Sequence, residues 1–72
     1  MKIKVIGFAK RLLGFEQKEI TFQGKKRLDE LIDFSDVPEN LIAILVNERA
    51  ATKEVEVTNS DKVIITQIVA GG

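Results

Sequence analysis

The chain has 72 residues, with 11 basic and 11 acidic side chains and no Cys, His, Trp or Tyr. The missing thiols and imidazoles argue against zinc, haem, copper and iron–sulfur sites, so no metal is expected, and they exclude disulfides and any Cys–His or Ser–His–Asp nucleophile. A chain of this length is one domain, 1–72, burying roughly 60% of its unfolded surface, and a deep substrate cleft would compete with its core. A binding, carrier or interaction module is the expectation. At 44% apolar and 31% charged residues the composition is that of a folded protein.

Met1–Phe8 alternates, with Ile3 and Val5 on one side and Lys2 and Lys4 on the other, which predicts a half-buried strand. Ala9–Phe15 breaks the alternation and contains Gly14, so it reads as a connection with room for a helical turn. Glu16–Gln23 alternates again through Lys18, Ile20 and Phe22 and predicts the second strand of a hairpin. After Gly24 the period changes. Leu28, Leu31 and Ile32 fall at i, i+3 and i+4, predicting a short helix over Lys25–Phe34. This helix lacks a good N-cap and has basic residues at its start, so packing must hold it.

Pro38 stops the helical pattern. Leu41–Val46 is apolar on both parities and predicts a strand whose two faces are both occupied. Asn47–Glu48 is a turn candidate, and a short strand is expected near Ala50–Ala51. Val55 and Val57 alternate with Glu54 and Glu56, and Asn59-Ser60-Asp61 forms a turn cluster. Lys62–Val69 is the final strand, and Ala70, Gly71 and Gly72 close the sequence. Strands flanking one helix predict an α+β fold, a mixed sheet of four to five strands packed on the helix. The right-handed crossover rule places the last strand beside the first and parallel to it, a β-grasp arrangement.

The longest apolar run, Leu41–Val46, is far short of a membrane span, and Lys10–Arg11 interrupts the only candidate signal core. A cytoplasmic protein with no membrane partner is expected. Residues 1–27 hold eight basic and two acidic side chains, and residues 28–72 hold three and nine. Such asymmetry can mark a nucleic-acid surface, although in so short a chain the halves should interleave in space, and a solvated face is the preferred reading. Two closing glycines occur by chance in about 0.5% of chains. They can be a frayed tail, but here they follow directly on the last strand.

On these residues the chain resembles the ThiS/MoaD family of ubiquitin-like sulfur carriers. Phe8-Ala9-Lys10-Arg11 with Gly14 and Phe22 is similar to the MoaD opening. The helix with Leu31, the turn with Pro38 and Ile44-Leu45-Val46-Asn47 are similar to ThiS. Asp61-Lys62-Val63 resembles the family's turn into the last strand, which ends Val69-Ala70-Gly71-Gly72. Glu48 stands where ThiS commonly has Gly, Ser60 replaces the Gly before Asp61, and Gln67-Ile68 stands where MoaD members often carry Pro-Pro.

The resemblance implies a protein co-substrate rather than an enzyme, and it is compatible with the small subunit of a molybdopterin synthase-type complex. It implies that an adenylating enzyme of the ubiquitin-activating type uses ATP and Mg²⁺ to activate Gly72, while the chain itself binds no cofactor. A sulfur donor protein then leaves a thiocarboxylate. The sulfur serves an acceptor enzyme: thiazole synthase, the molybdopterin synthase large subunit or a tRNA thiolase. Gly71, Ala70 and Val69 would enter the partner's site through a flexible tail of about 69–72.

The sheet face away from the helix is the expected docking surface, with Phe8, Ile64 and Ile68 on it and Leu45 joining them if its parity allows. These residues can equally be scattered surface apolars or a small second core. Two other functions compete: a protein modifier that forms isopeptide bonds through Gly72, and a noncovalent adaptor or RNA-binding module using the basic N-terminal half.

Overall fold

A computed structural model describes residues 1–68. In chain order its elements are β1 (Lys2–Ile6), α1 (Ala9–Leu13), β2 (Gln17–Glu19), β3 (Lys26–Arg27), α2 (Leu28–Leu31), a 3₁₀ turn (Glu39–Leu41), β4 (Ile42–Val46), β5 (Arg49–Ala51), β6 (Glu56–Val57) and β7 (Lys62–Gln67). Alternation in β1 buries Ile3 and Val5 and turns Lys2, Lys4 and Ile6 outward. β7 lies parallel to β1, setting Ile3 opposite Val63 and Val5 opposite Ile65. β4 runs antiparallel on the other side of β7, with Ile44 opposite Ile65. β2 and β5 close the edges, giving the order β2-β1-β7-β4-β5. This is the expected α+β, β-grasp arrangement, with five strands in the mixed sheet.

Its inner face is covered by Leu28, Ile32, Phe34, Val37 and Val57, which join the buried strand residues in one core. Burying side chains such as Ile3, Leu28 and Ile65 contributes about 1.5–3 kcal/mol each. The covering layer differs from the expected helix over Lys25–Phe34. Only Leu28–Leu31 is helical, and Lys26 and Arg27 instead pair with Val57 and Glu56 to form a second, two-stranded sheet. The missing cap explains the short turn: Arg27 offers no side-chain cap, and the Leu28 and Asp29 N–H groups donate to the carbonyls of Val55 and Lys53, both at 2.9 Å. At the other end Ile32 is extended, and Asp33 accepts the Ser35 N–H at 2.9 Å, turning the chain away. The Leu28, Leu31, Ile32 stripe still faces the core, but through one helical turn and an extended residue.

A second helix, α1, occupies the segment read as a connection. It ends at Gly14, whose φ of 81° lets its N–H reach the Lys10 carbonyl at 2.9 Å. β2 is shorter than expected because only Gln17–Glu19 enter the ladder. Ile20 nevertheless donates to the Met1 carbonyl at 2.9 Å, and Ile20 and Phe22 pack against the core. β7 ends at Gln67, two residues before the expected boundary at Val69, which lies outside the described residues.

β4 resolves its own parity, since Ile42 and Ile44 are buried and Ala43 and Leu45 face outward. The β4–β5 connection turns on Asn47 and Glu48, with φ of 50° and 70°, the left-handed pair that a two-residue hairpin of type I′ requires. Asn47 also ties this hairpin to the turn before β7. Its amide donates to Asp61 at 2.8 Å and accepts the Lys62 N–H at 3.0 Å, while the second Asp61 oxygen accepts the Thr58 N–H at 2.7 Å.

Candidate functional site

The point where β7 hands over to residues 69–72 is the place to build the site. Gly72, Gly71, Ala70 and Val69 lie outside the described residues, so its geometry is that of the tail's root. β1 and β7 run parallel and end together, with Ile6 opposite Thr66. β4 begins at this same end, because Ile42 is opposite Gln67 and the Ile68 N–H donates to the Leu41 carbonyl at 2.9 Å. Among the described residues, the exposed large apolar side chains are Phe8 (54%), Ile68 (46%), Ile6 (43%) and Leu41 (41%). All four sit at this end. Four large apolar side chains are thus left in water around the tail's root.

The expected docking residues fall into two groups. Ile64 and Leu45 are direct neighbours in register on the outward face and are half-buried. Phe8 and Ile68 are more exposed and lie at the tail end. Phe8 lies in the turn between β1 and α1 rather than in the strand itself. Neither Leu45 nor Ile64 belongs to the core cluster.

Ile6 and Leu41 belong to the same patch and were missed from sequence. Ile6 was legible, as an apolar residue continuing the parity of Lys2 and Lys4. Leu41 was not, because its exposure depends on the 3₁₀ turn before β4.

Two contacts fix Phe8. Its N–H donates to the Gln67 side-chain oxygen, so the last residue of β7 holds the first turn of α1. The same oxygen lies 3.1 Å from where a Cβ on Gly7 would stand, and Gly7 has φ of 73°. Both features favour glycine in this turn. The Arg11 guanidinium sits 5.9 Å from the centroid of the Phe8 ring, within cation–π range.

The shifted titrations lie away from this patch. The Thr58 N–H and then the Asn47 amide hold the Asp61 carboxyl below the usual carboxylate range. Ser35 does the same for Asp33. These are turn contacts, and Asp61 stands before the first residue of β7, at the other end of that strand from the tail's root.

A cleft of about 340 Å³ opens between Phe34, Val37, Ile42, Ile44 and Ala51, with Lys53 and Glu39 paired at 3.8 Å among its lining residues. Among the described residues no three acidic side chains gather as a metal site, and no helix is long and apolar enough to cross a membrane.

A comparison with individually curated proteins finds no match. The ThiS family model matches residues 3–72, from β1 through Gly71 and Gly72. That family consists of small ubiquitin-like carriers that work with adenylating enzymes and sulfur acceptors. With the β-grasp sheet and nearly the whole sequence inside the match, the chain belongs to the ThiS family of sulfur carriers.

Proposed function

We propose that the Gly72 carboxylate is the group that carries sulfur. A free α-carboxylate, whose ordinary pKa is about 3.5, is ionised at neutral pH and resists nucleophiles. It must be activated. A partner enzyme of the ubiquitin-activating type supplies ATP and Mg²⁺. A carboxylate oxygen attacks the α-phosphorus, pyrophosphate leaves, and Gly72 becomes an acyl-adenylate. A persulfide sulfur from a donor protein then attacks the acyl carbon, and AMP leaves with the bonding electron pair. A thiol cleaves the resulting acyl disulfide by exchange, taking up the donor's sulfur in a new disulfide and releasing the thiocarboxylate. The carrier gives this sulfur to thiamine or molybdopterin synthesis or to tRNA thiolation.

The single observation that carries this reading is the family match running through Gly72 directly after the last strand. The exposed ring of Ile6, Phe8, Leu41 and Ile68 supports it, as a dock at the tail's root. Without a Cβ, Gly71 and Gly72 suit a narrow channel.

Intact mass after incubation with ATP, the adenylating enzyme and a sulfur source tests the proposal. One oxygen replaced by one sulfur on Gly72 is the expected result, and a Gly72 deletion should gain nothing. A ladder of heavier conjugates would point to a protein modifier instead. Sulfur gained by the deletion variant would refute the mechanism.

A further inference from the structure

The neutral chain is polarised by its fold. The sheet layer, residues 1–23, 42–51 and 58–68, holds seven cations against four anions (Glu16, Glu19, Glu48 and Asp61), a net of +3. The covering layer, residues 24–41 and 52–57, holds four cations against seven anions, a net of −3. The ion pairs among the described residues stay within one layer: Lys10–Glu16 in the first, Arg27–Asp29 and Lys53–Glu39 in the second. Nothing in them cancels the separation.

Three of these cations, Lys2, Lys4 and Lys62, share the outward parity of β1 and β7. Lys2 stands directly beside Lys62 on the neighbouring parallel strand, and Lys4 lies two residues along the same side of β1. Like charges opposite one another on adjacent strands cost stability, so this placement conflicts with what folding alone favours. None of the three lysines has an ion-pair partner among the described residues.

The nearby acids do not resolve the conflict. Glu19 is opposite Lys2 on the edge strand and Glu48 shares a shallow depression with Lys62, without closing a pair. Asp61 commits both oxygens to Thr58 and Asn47. The cations also continue the apolar face, because Ile64 has Lys4 on one side and Leu45 on the other. A strand rise of about 3.3 Å per residue sets Lys4 roughly 7 Å and Lys2 roughly 13 Å from Ile6.

We propose that Lys2, Lys4 and Lys62 are the cationic half of the docking face, matched by a cluster of Asp and Glu side chains on the adenylating enzyme, beside its apolar contact strip. This rests on the reading of Gly72 given above. A protein surface fits better than nucleic acid. Lys62 aside, the strand residues directly beside Lys2 and Lys4 in register are Glu19, Gln17 and Ile64, with no aromatic among them on which bases could stack. Opposed fields of this kind raise the association rate more than they slow dissociation.

The test is the rate of carrier-dependent pyrophosphate release by the adenylating enzyme, measured against carrier concentration at two ionic strengths. For the unmodified chain, kcat/KM should fall about tenfold between roughly 20 and 200 mM salt. The combined variant K2Q/K4Q/K62Q should lose about tenfold in kcat/KM at low salt, keep its kcat, and show a flattened salt dependence. Its melting temperature should be unchanged or higher, since repulsion is removed. The control K25Q/K26Q, on the other layer, should match the unmodified chain.

If the unmodified chain is adenylated and the triple variant keeps its kcat/KM and salt slope, the docking proposal is wrong and the carrier function stands. If the unmodified chain is not adenylated at all, both fall. A single-stranded oligouridylate that binds the unmodified chain but not the triple variant, with adenylation indifferent to the three lysines, would assign the face to nucleic acid and overturn the proposal.

Discussion

Removing the Asp61 carboxylate should destabilise the fold by about 2–3 kcal/mol, although the residue is only half-buried. Its two oxygens accept the Thr58 N–H at 2.7 Å and the Asn47 amide at 2.8 Å. A hydrogen bond to a charged group contributes about 1.5–3 kcal/mol net, and solvent access places this pair at the low end. Asp61→Ala leaves both donors without their acceptor. It also frees Asn47, which holds a left-handed φ and accepts the Lys62 N–H. In a chain this small each kcal/mol moves Tm by about 4–8 °C, so a fall of about 10–20 °C is expected.

The pH dependence has a definite sign. The folded carboxyl lies below its ordinary value, chiefly through the Thr58 N–H and then the Asn47 amide. Its contribution is therefore complete above the unfolded pKa of about 3.9 and is lost as the pH falls through the depressed folded value. The gap between the unmodified protein and Asp61→Ala should be constant from about pH 5 to 8 and close below about pH 4. With no Trp or Tyr in the chain, urea unfolding at each pH is best followed by far-ultraviolet circular dichroism. A gap below about 0.5 kcal/mol at pH 7, or one undiminished at about pH 2, would refute the reasoning.

Glu48→Gly should stabilise the protein by about 1 kcal/mol, because a φ of 70° is strained for Glu and free for Gly; a lowered Tm would contradict this. Gly7→Ala should cost about 1–3 kcal/mol through its φ of 73° and the Gln67 oxygen 3.1 Å from the added Cβ, with faster exchange of the Phe8 amide as the local readout. Phe8→Ala, at a 54% exposed position, should change stability by less than about 1 kcal/mol while weakening binding to the adenylating enzyme in calorimetry; unfolding would return Phe8 to the core. Leu28→Ala removes a fully buried side chain from the covering layer and should cost about 2–5 kcal/mol in urea unfolding.

The strands were legible because their information is local. Period 2 in Lys2–Ile6 and β-branched density in Lys62–Gln67 needed no tertiary context, and handedness alone put them side by side. The covering helix was legible as a face but not as a helix. Its stripe was read correctly, yet whether Lys26 and Arg27 wind or extend depends on β6, which lies about thirty residues away and offers Val57 and Glu56 as partners. The missing cap was visible in the sequence and foretold weakness, without showing which structure would replace the first turn. The candidate docking residues had the same division. Ile64 and Ile68 follow from strand parity, Leu45 required the register with β7, and Leu41 required the 3₁₀ turn.

The proposed chemistry of the tail gives a reason for the exposed apolar ring to lie where it does. Val69-Ala70-Gly71-Gly72 carries few side-chain atoms, and two glycines offer a partner only backbone to hold. Binding energy for ordering that segment must come from elsewhere on the protein. Four residues reach at most about 14 Å when fully extended. A dock much farther away than that would either fail to present Gly72 or leave the chain end to search a large volume. Ile6, Phe8, Leu41 and Ile68 surround the tail's root, so contact with them confines Gly72 to a sphere of that radius around Ile68. The partner's adenylating centre should therefore lie within about 14 Å of the surface that receives Ile68. Inserting a flexible Gly-Ser-Gly-Ser segment after Ile68 tests this directly. It leaves every docking side chain in place, so binding should persist while the rate of adenylation falls. Unchanged adenylation would show that reach does not couple the dock to the chemistry.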